Sequence, residues 1–371
     1  MDTRGFTITA LVVALLVVAA VVVVARRTTG RLRLRSLLVP GAVLVVAGMV
    51  SVVAAGGLAR SSTTFSAMHV AYLVMGIAVP AAGVAVIVAS IRRGATWPVW
   101  VVAIALLIPA PVTWYGTHVA PHRLRVERAE VALPPERAGS DPIRIGVVAD
   151  LQTTRVTAYE QRAVTRLLAL APDVIVIPGD VFQGSDRQFE AQLGALRALL
   201  GRLHAPGGVY AVRGDVDTGH RLDRIVAGTD IQILDDVVET FRVGDRTVRI
   251  GGNPLLWAPP PAVAMRRALI ASDPSDVRLL LSHRPDVVKL LPPSSGVDLT
   301  ISGHTHGGQV VVPLYGPLVT ASTVSRSVAR GGLHEVQGNA IFVSSGVGLA
   351  RLDAPQVRIF TRPAIGLVVL R

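Results

Sequence analysis

Four stretches in the first third of the chain, at about 6–25, 37–58, 65–91 and 97–115, are nearly free of charge, and beyond them the hydrophobic pattern changes character. A bilayer span needs about 20 apolar residues, so these stretches predict four transmembrane helices. The fourth is the shortest, apolar only from Trp97 to Val112, and it contains Pro109 and Pro111. A cleaved signal peptide would have an apolar core of about 7–15 residues followed by small residues. The first stretch is longer and runs into Arg26 and Arg27. From residue 143 onward, short apolar runs alternate with amphipathic ones. Residues 143–148 and 174–177 predict strands, whereas 159–170 and 189–203 predict helices. Residues 237–243 and 247–251 flank Gly244-Asp245 as a hairpin would. Residues 340–345, 357–361 and 365–370 supply strands expected in a second sheet. This order predicts layered α/β packing, in a domain of about 230 residues that can bury a core unaided.

The predicted organisation is therefore a transmembrane region over 1–115, a linker over 116–141 and an α/β domain over 142–371. The linker carries His118, His122, Arg123, Arg125, Arg128 and Pro134-Pro135. It reads as a solvated connector, with contact to anionic headgroups as the alternative.

Charge placement adds an orientation. Arg26, Arg27, Arg31, Arg33 and Arg35 lie between the first two spans, Arg92 and Arg93 between the last two, and Arg60 alone in the middle loop. Short basic loops stay in the cytoplasm. A multi-pass cell-membrane protein with its large domain extracytoplasmic is the expectation. The chain's net charge is +12, and residues 1–115 hold nine arginines against one aspartate, a balance of +8. A nucleic-acid binder would concentrate its excess on the soluble domain, so nucleic acid is not an expected partner. The absence of cysteine removes disulfides and thiolate ligands.

Candidate chemistry gathers at the ends of the apolar runs. Asp150 and Asp180 each end one, Gly214-Asp215-Val216-Asp217 and His283 follow others, and Gly303-His304-Thr305-His306-Gly307-Gly308 comes just after 299–301. In α/β sheets, ligands collect beyond the carboxyl ends of strands. A pair of imidazoles with several carboxylates suits a divalent cation.

These residues resemble the motifs of the calcineurin-like metallophosphoesterase family, which run Asp-X-His, Gly-Asp, Gly-Asn-His-Asp/Glu, His and Gly-His-X-His. The resemblance covers about 143–371 and suggests a membrane-anchored bacterial branch. It implies an α/β four-layer sandwich of two mixed β-sheets flanked by helices, here preceded by an all-α bundle of four transmembrane helices. It also implies two divalent ions (Mn, Fe or Zn), the first on Asp150, Gln152, Asp180 and His306, the second on Asp180, Asp215, His283 and His304. Asp180, Asp217 and His304 are the expected catalytic residues, and Arg213 and Arg284 could clamp a substrate phosphate, unless nearby aspartates pair with them. The implied reaction is hydrolysis of a phosphodiester, pyrophosphate or phosphomonoester by a hydroxide bridging the ions, close to the lipid bilayer.

Two motifs depart from the family. Gln152 replaces a histidine, as in some branches with nucleotide-diphosphate substrates, and is read as a variant ligand. Val216 replaces the histidine that stabilises the transition state and helps protonate the leaving group. His220 could stand in for it, or be an ordinary surface residue. A good leaving group would make that loss tolerable. Otherwise the domain is a degenerate metal or phosphate sensor coupled to a membrane partner.

Overall fold

The computed structural model describes residues 3–58, 63–255, 259–351 and 353–371. Arg60, counted above in the middle loop, lies outside them. The chain divides into two compact units, Met1–Val119 with Ala350–Val357, and Ala120–Leu349 with Arg358–Arg371.

The first unit is helical. It contains α1 (Thr3–Arg27), α2 (Leu38–Leu58), α3 (Thr63–Leu73), α4 (Val79–Arg93), α5 (Trp97–Ala105) and α6 (Pro109–His118). Among the described residues, four helical stretches are long and apolar enough to cross a membrane, namely Gly5–Arg27, Leu34–Ala55, Thr64–Arg93 and Trp97–His122. A π-helical turn over Val74–Ala78 joins α3 to α4 just before Pro80. Proline lacks the N–H that an α-helical ladder requires, and a widened turn absorbs the defect. Before Pro109 the fourth stretch tightens instead, with the Leu107 and Ile108 N–H groups bonding three residues back to Ile104 and Ala105. Pro109 then occupies the first turn of α6, where its missing donor costs nothing. At Gly83 a β-carbon would lie 2.9 Å from the Ala103 carbonyl, so glycine permits α4 to approach α5 closely.

The second unit opens with β1 (Arg125–Val131), then β2 (Ile143–Val147), α7 (Ala158–Leu168), β3 (Val174–Ile177), α8 (Asp186–Leu200), β4 (Val209–Ala211), α9 (Arg221–Val226) and β5 (Ile231–Ile233). There follow β6 (Val238–Val243), β7 (Arg246–Asn253), α10 (Pro260–Ile270), β8 (Val277–Ser282) and β9 (Leu299–Ser302). The chain finishes with β10 (Val311–Val312), β11 (Gly316–Pro317), α11 (Arg326–Ala329), β12 (Gly332–Val336), β13 (Asn339–Val343) and β14 (Ala364–Leu370). One six-stranded sheet has the order β1-β14-β2-β3-β4-β5 and the other β12-β13-β9-β8-β7-β6; both are mixed.

Period-two alternation decides which core each side chain joins. Val174 and Val176 turn inward, with Ile143, Ile145, Leu279, Leu281 and Ile301, to fill the space between the sheets. Ile175 and Ile177 turn outward against Val164, Leu167, Leu196 and Leu199 of α7 and α8. Met265 and Leu269 of α10 cover Leu280 on the far side of the second sheet. The result is the expected four-layer sandwich. Both covering helices begin with reciprocal capping boxes, Thr157 with Glu160 and Ser185 with Gln188.

Three expectations fail. The linker is not a plain connector, because Arg125–Val131 is β1, an edge strand parallel to β14. Residues 357–361 form no strand and contribute only an isolated bridge between Ile359 and Val310. Finally, β14 joins the first sheet, inserted between β1 and β2, and leaves the second sheet to β13. An apolar run shows that a strand exists without naming the strand it will pair with.

Candidate metal centre

The parallel strands β2, β3, β4, β8 and β9 end on one side of the sandwich, and each releases a polar residue just beyond its last hydrogen bond. Asp150, Asp180 and His283 offer ligand atoms within 4.8 Å of one another, and so do Asp215, His283 and His304. The loops are tied together by backbone bonds, among them Asp150 N–H to the Gly179 carbonyl (3.1 Å) and Gly303 N–H to the His283 carbonyl (3.0 Å). Glycine lets the loops close. A β-carbon on Gly303 would meet the Asp150 carboxylate at 2.7 Å, and one on Gly214 would collide with Asp180. Asp150, Gln152, Asp180, His304 and His306 all hold positive φ, between 33° and 71°. Such conformers cost about 1–3 kcal/mol each and collect at functional sites.

The two paired imidazoles are oriented from behind. His283 Nδ1 donates to the Pro178 carbonyl at 2.7 Å, which turns Nε2 toward Asp180 (3.4 Å) and Asp215 (3.6 Å). His304 Nε2 donates to the Ala321 carbonyl at 2.9 Å, leaving Nδ1 2.9 Å from Asp215 and 3.2 Å from His283 Nε2. An N–H fixed on a backbone carbonyl selects the tautomer whose other nitrogen can ligate a metal. The third imidazole, His306, is buried, and neither of its ring nitrogens has a hydrogen-bond partner among the described residues. A buried orphan imidazole is costly unless something binds it. With the carboxylates beside it, the donor set fits a divalent cation.

The electrostatics agree. Burial pushes the Asp150 carboxyl up to about 7, against the pull of His283. Burial would also raise Asp180, but His283 and the Val216 N–H (2.9 Å) bring it below its ordinary value. Asp215 goes well below the carboxylate range because His283, His304 and Arg284 together outweigh its desolvation. His283 is driven upward by Asp180, Asp215 and Asp150 in spite of complete burial. Burial, reinforced by Arg358, holds His306 low and therefore neutral, the form that ligates.

Other expected site residues take different positions. Asp217 accepts three backbone N–H groups, from Asp180 (2.7 Å), Val181 (3.0 Å) and Gly214 (2.9 Å). Its carboxylate is thereby spent on joining two loops, which is a positioning role. Gln152 donates to Asp180 at 2.5 Å. Arg213 is engaged by Asp223 (2.7 and 3.0 Å) and Asp235 (3.1 Å), an arrangement that removes it from a phosphate clamp. Arg284 pairs with Asp215 at 2.5 Å while 39% exposed. The His220 side chain is 92% exposed beside Asp223, so it does not replace the missing imidazole.

Two residues with no role assigned from the sequence, Arg358 and Asp286, support the site. Arg358, fully buried, donates to the carbonyls of His306 (3.0 Å), Ser345 (2.8 Å), Gly346 (3.2 Å) and Gly348 (2.7 Å), and burial brings its pKa down to about 10. A lone arginine inside Val357-Arg358-Ile359-Phe360 was the available signal. Asp286 accepts from Ser322 Oγ (2.7 Å) and from Thr323 N and Oγ1 (2.6 Å each), and so secures the loop whose Ala321 carbonyl holds His304.

An α/β sandwich with this cluster at its strand ends is a fold with a candidate divalent-cation site. Residues 143–308 match the model of the calcineurin-like phosphoesterase family. A Caenorhabditis elegans protein named for the metallophosphoesterases is 27% identical over 266 residues, 66% of this chain and 51% of its own, so the chain spans about half the length of that relative. Phosphodiesterase YaeI of Escherichia coli is 28% identical over 243 residues, 62% of this chain and 82% of that one. The UDP-2,3-diacylglucosamine pyrophosphatase LpxG of Chlamydia trachomatis is 24% identical over 266 residues, 57% of this chain and 78% of that one.

Proposed function

We propose that the chain is a multi-pass membrane enzyme whose extracytoplasmic domain hydrolyses a phosphodiester or pyrophosphate bond near the bilayer surface. The observation that carries this reading is the largely buried cluster itself, two Asp/His groups sharing His283, with His306 unpartnered among the described residues. In this reading Asp150, Gln152, Asp180 and His306 hold one ion, and Asp180, Asp215, His283 and His304 hold a second. When bound, two divalent ions lower the pKa of water and stabilise the charge developing on phosphorus. Mn, Fe and Zn all suit a mixed oxygen and imidazole set.

The chain's own groups shape the rest of the reaction. Pro178 and Ala321 fix the imidazoles, Asp217 fixes the Gly179-Asp180 and Gly214-Asp215 loops, and Arg358 braces the His306 turn. Arg284, paired with Asp215 of the cluster and 39% exposed, is the proposed contact for a phosphoryl oxygen. Val216 cannot supply a proton, so the leaving group must depart without general acid help at that position. A diester with a good leaving group, or a pyrophosphate, meets that condition better than an alkyl monoester. The names of the two bacterial relatives point to the same two substrate classes.

The test is Mn-dependent turnover of a bis-aryl phosphodiester by the full-length protein in detergent, beside Asp180→Ala. Turnover that requires Mn and disappears in Asp180→Ala supports the enzyme. Stoichiometric metal binding with no turnover of diesters, pyrophosphates or monoesters would reveal a sensor instead.

A further inference from the structure

Within the helical unit, a cavity of about 610 Å³ lies along the seam between α1 and α4. Its walls include Val22, Val84 and Val88, which are 41, 53 and 42% exposed. At one end stand Arg26, Arg92 and Arg93, in the last turns of the two helices. Helix C-termini favour cations there, and Arg93 also donates to the Thr28 carbonyl at 3.2 Å. Neither feature neutralises the charge. Between Thr3 and Val119 the sequence contains no aspartate or glutamate, so no carboxylate from that segment can answer the three guanidinium groups.

An apolar slot closed by an uncompensated cationic cluster is complementary to one ligand chemistry, a hydrocarbon chain that carries an anionic head. Its volume lies within the 300–1,000 Å³ typical of small-ligand sites. Arginine meets phosphate oxygens through paired N–H donors, and basic pockets between membrane helices hold acidic lipid headgroups. We propose that this groove binds one anionic glycerophospholipid, with an acyl chain along the valines and its phosphate on Arg26, Arg92 and Arg93. The site is separate from the hydrolytic cluster and does not depend on that chemistry.

Native mass spectrometry of the delipidated full-length protein in detergent, titrated with phosphatidylglycerol or phosphatidylcholine, tests the proposal. The expected result is one phosphatidylglycerol retained on the order of tenfold more tightly than phosphatidylcholine. The preference should vanish in the triple variant R26Q/R92Q/R93Q, and Ala85→Trp, which fills the groove, should abolish retention of either lipid. Elution of each variant at the wild-type position on size-exclusion chromatography in detergent shows that it is folded, and Arg92→Gln alone gives a milder loss of preference should the triple variant fail to insert. Equal retention of the two lipids by the wild type would overturn the proposal. So would a preference that survives both the charge and the groove variants, or a dimer whose interface covers Val84 and Val88.

Discussion

At the scale of single residues, Val216 decides what the cluster can do. Its backbone N–H donates to Asp180 at 2.9 Å, which puts the residue against the Asp/His cluster, and its side chain has no proton to give. Val216→His should raise kcat on substrates with poor leaving groups by about ten- to hundredfold, with little change for good ones. Comparing aryl and alkyl phosphodiesters in the two proteins measures this, and an unchanged ratio would show that the position lies outside the reaction. The residues that motifs reach, Asp150, Asp180, Asp215, His283 and His304, were legible because each follows an apolar run and bears a metal-type donor. Arg358 was not, since its four carbonyl acceptors lie up to 52 positions away in the chain.

At the scale of elements, strands and helices were readable where their periodicity was local. The α7 and α8 helices and the β6–β7 hairpin fall near their predicted places because capping residues and Gly244 act over three or four positions. The locations of β1 and β14 depended on long-range pairing, and no local pattern encodes it. The loop over 320–323 illustrates the same limit, since its order comes from Asp286 on a 3-10 turn far upstream. Asp286→Ala leaves three donors without an acceptor, and the expected stability loss is about 1–3 kcal/mol. His304 would also lose its firm acceptor at Ala321, so metal affinity should fall about ten- to hundredfold. Chemical denaturation and a Mn titration read the two effects separately; a variant that loses stability with full metal affinity would show that the loop does not govern His304.

At the scale of the whole molecule, the proposed outward placement of the α/β unit rests on the arginine-rich segments between spans. The chain has no cysteine, so single cysteines report topology without background. A membrane-impermeant maleimide should label Arg187→Cys in intact cells and reach Thr29→Cys only after the membrane is permeabilised. The reverse pattern would put the catalytic unit in the cytoplasm and exclude an extracytoplasmic substrate.

The most direct measurement of the central claim is anomalous diffraction at the Mn absorption edge from crystals of the full-length protein grown with Mn. Two peaks are expected to share the Asp180 carboxylate, one also ligated by Asp150, Gln152 and His306 and the other by Asp215, His283 and His304, each about 2.0–2.2 Å from its oxygen and nitrogen ligands. A protein that turns over substrate yet shows no Mn in this cluster would contradict that claim.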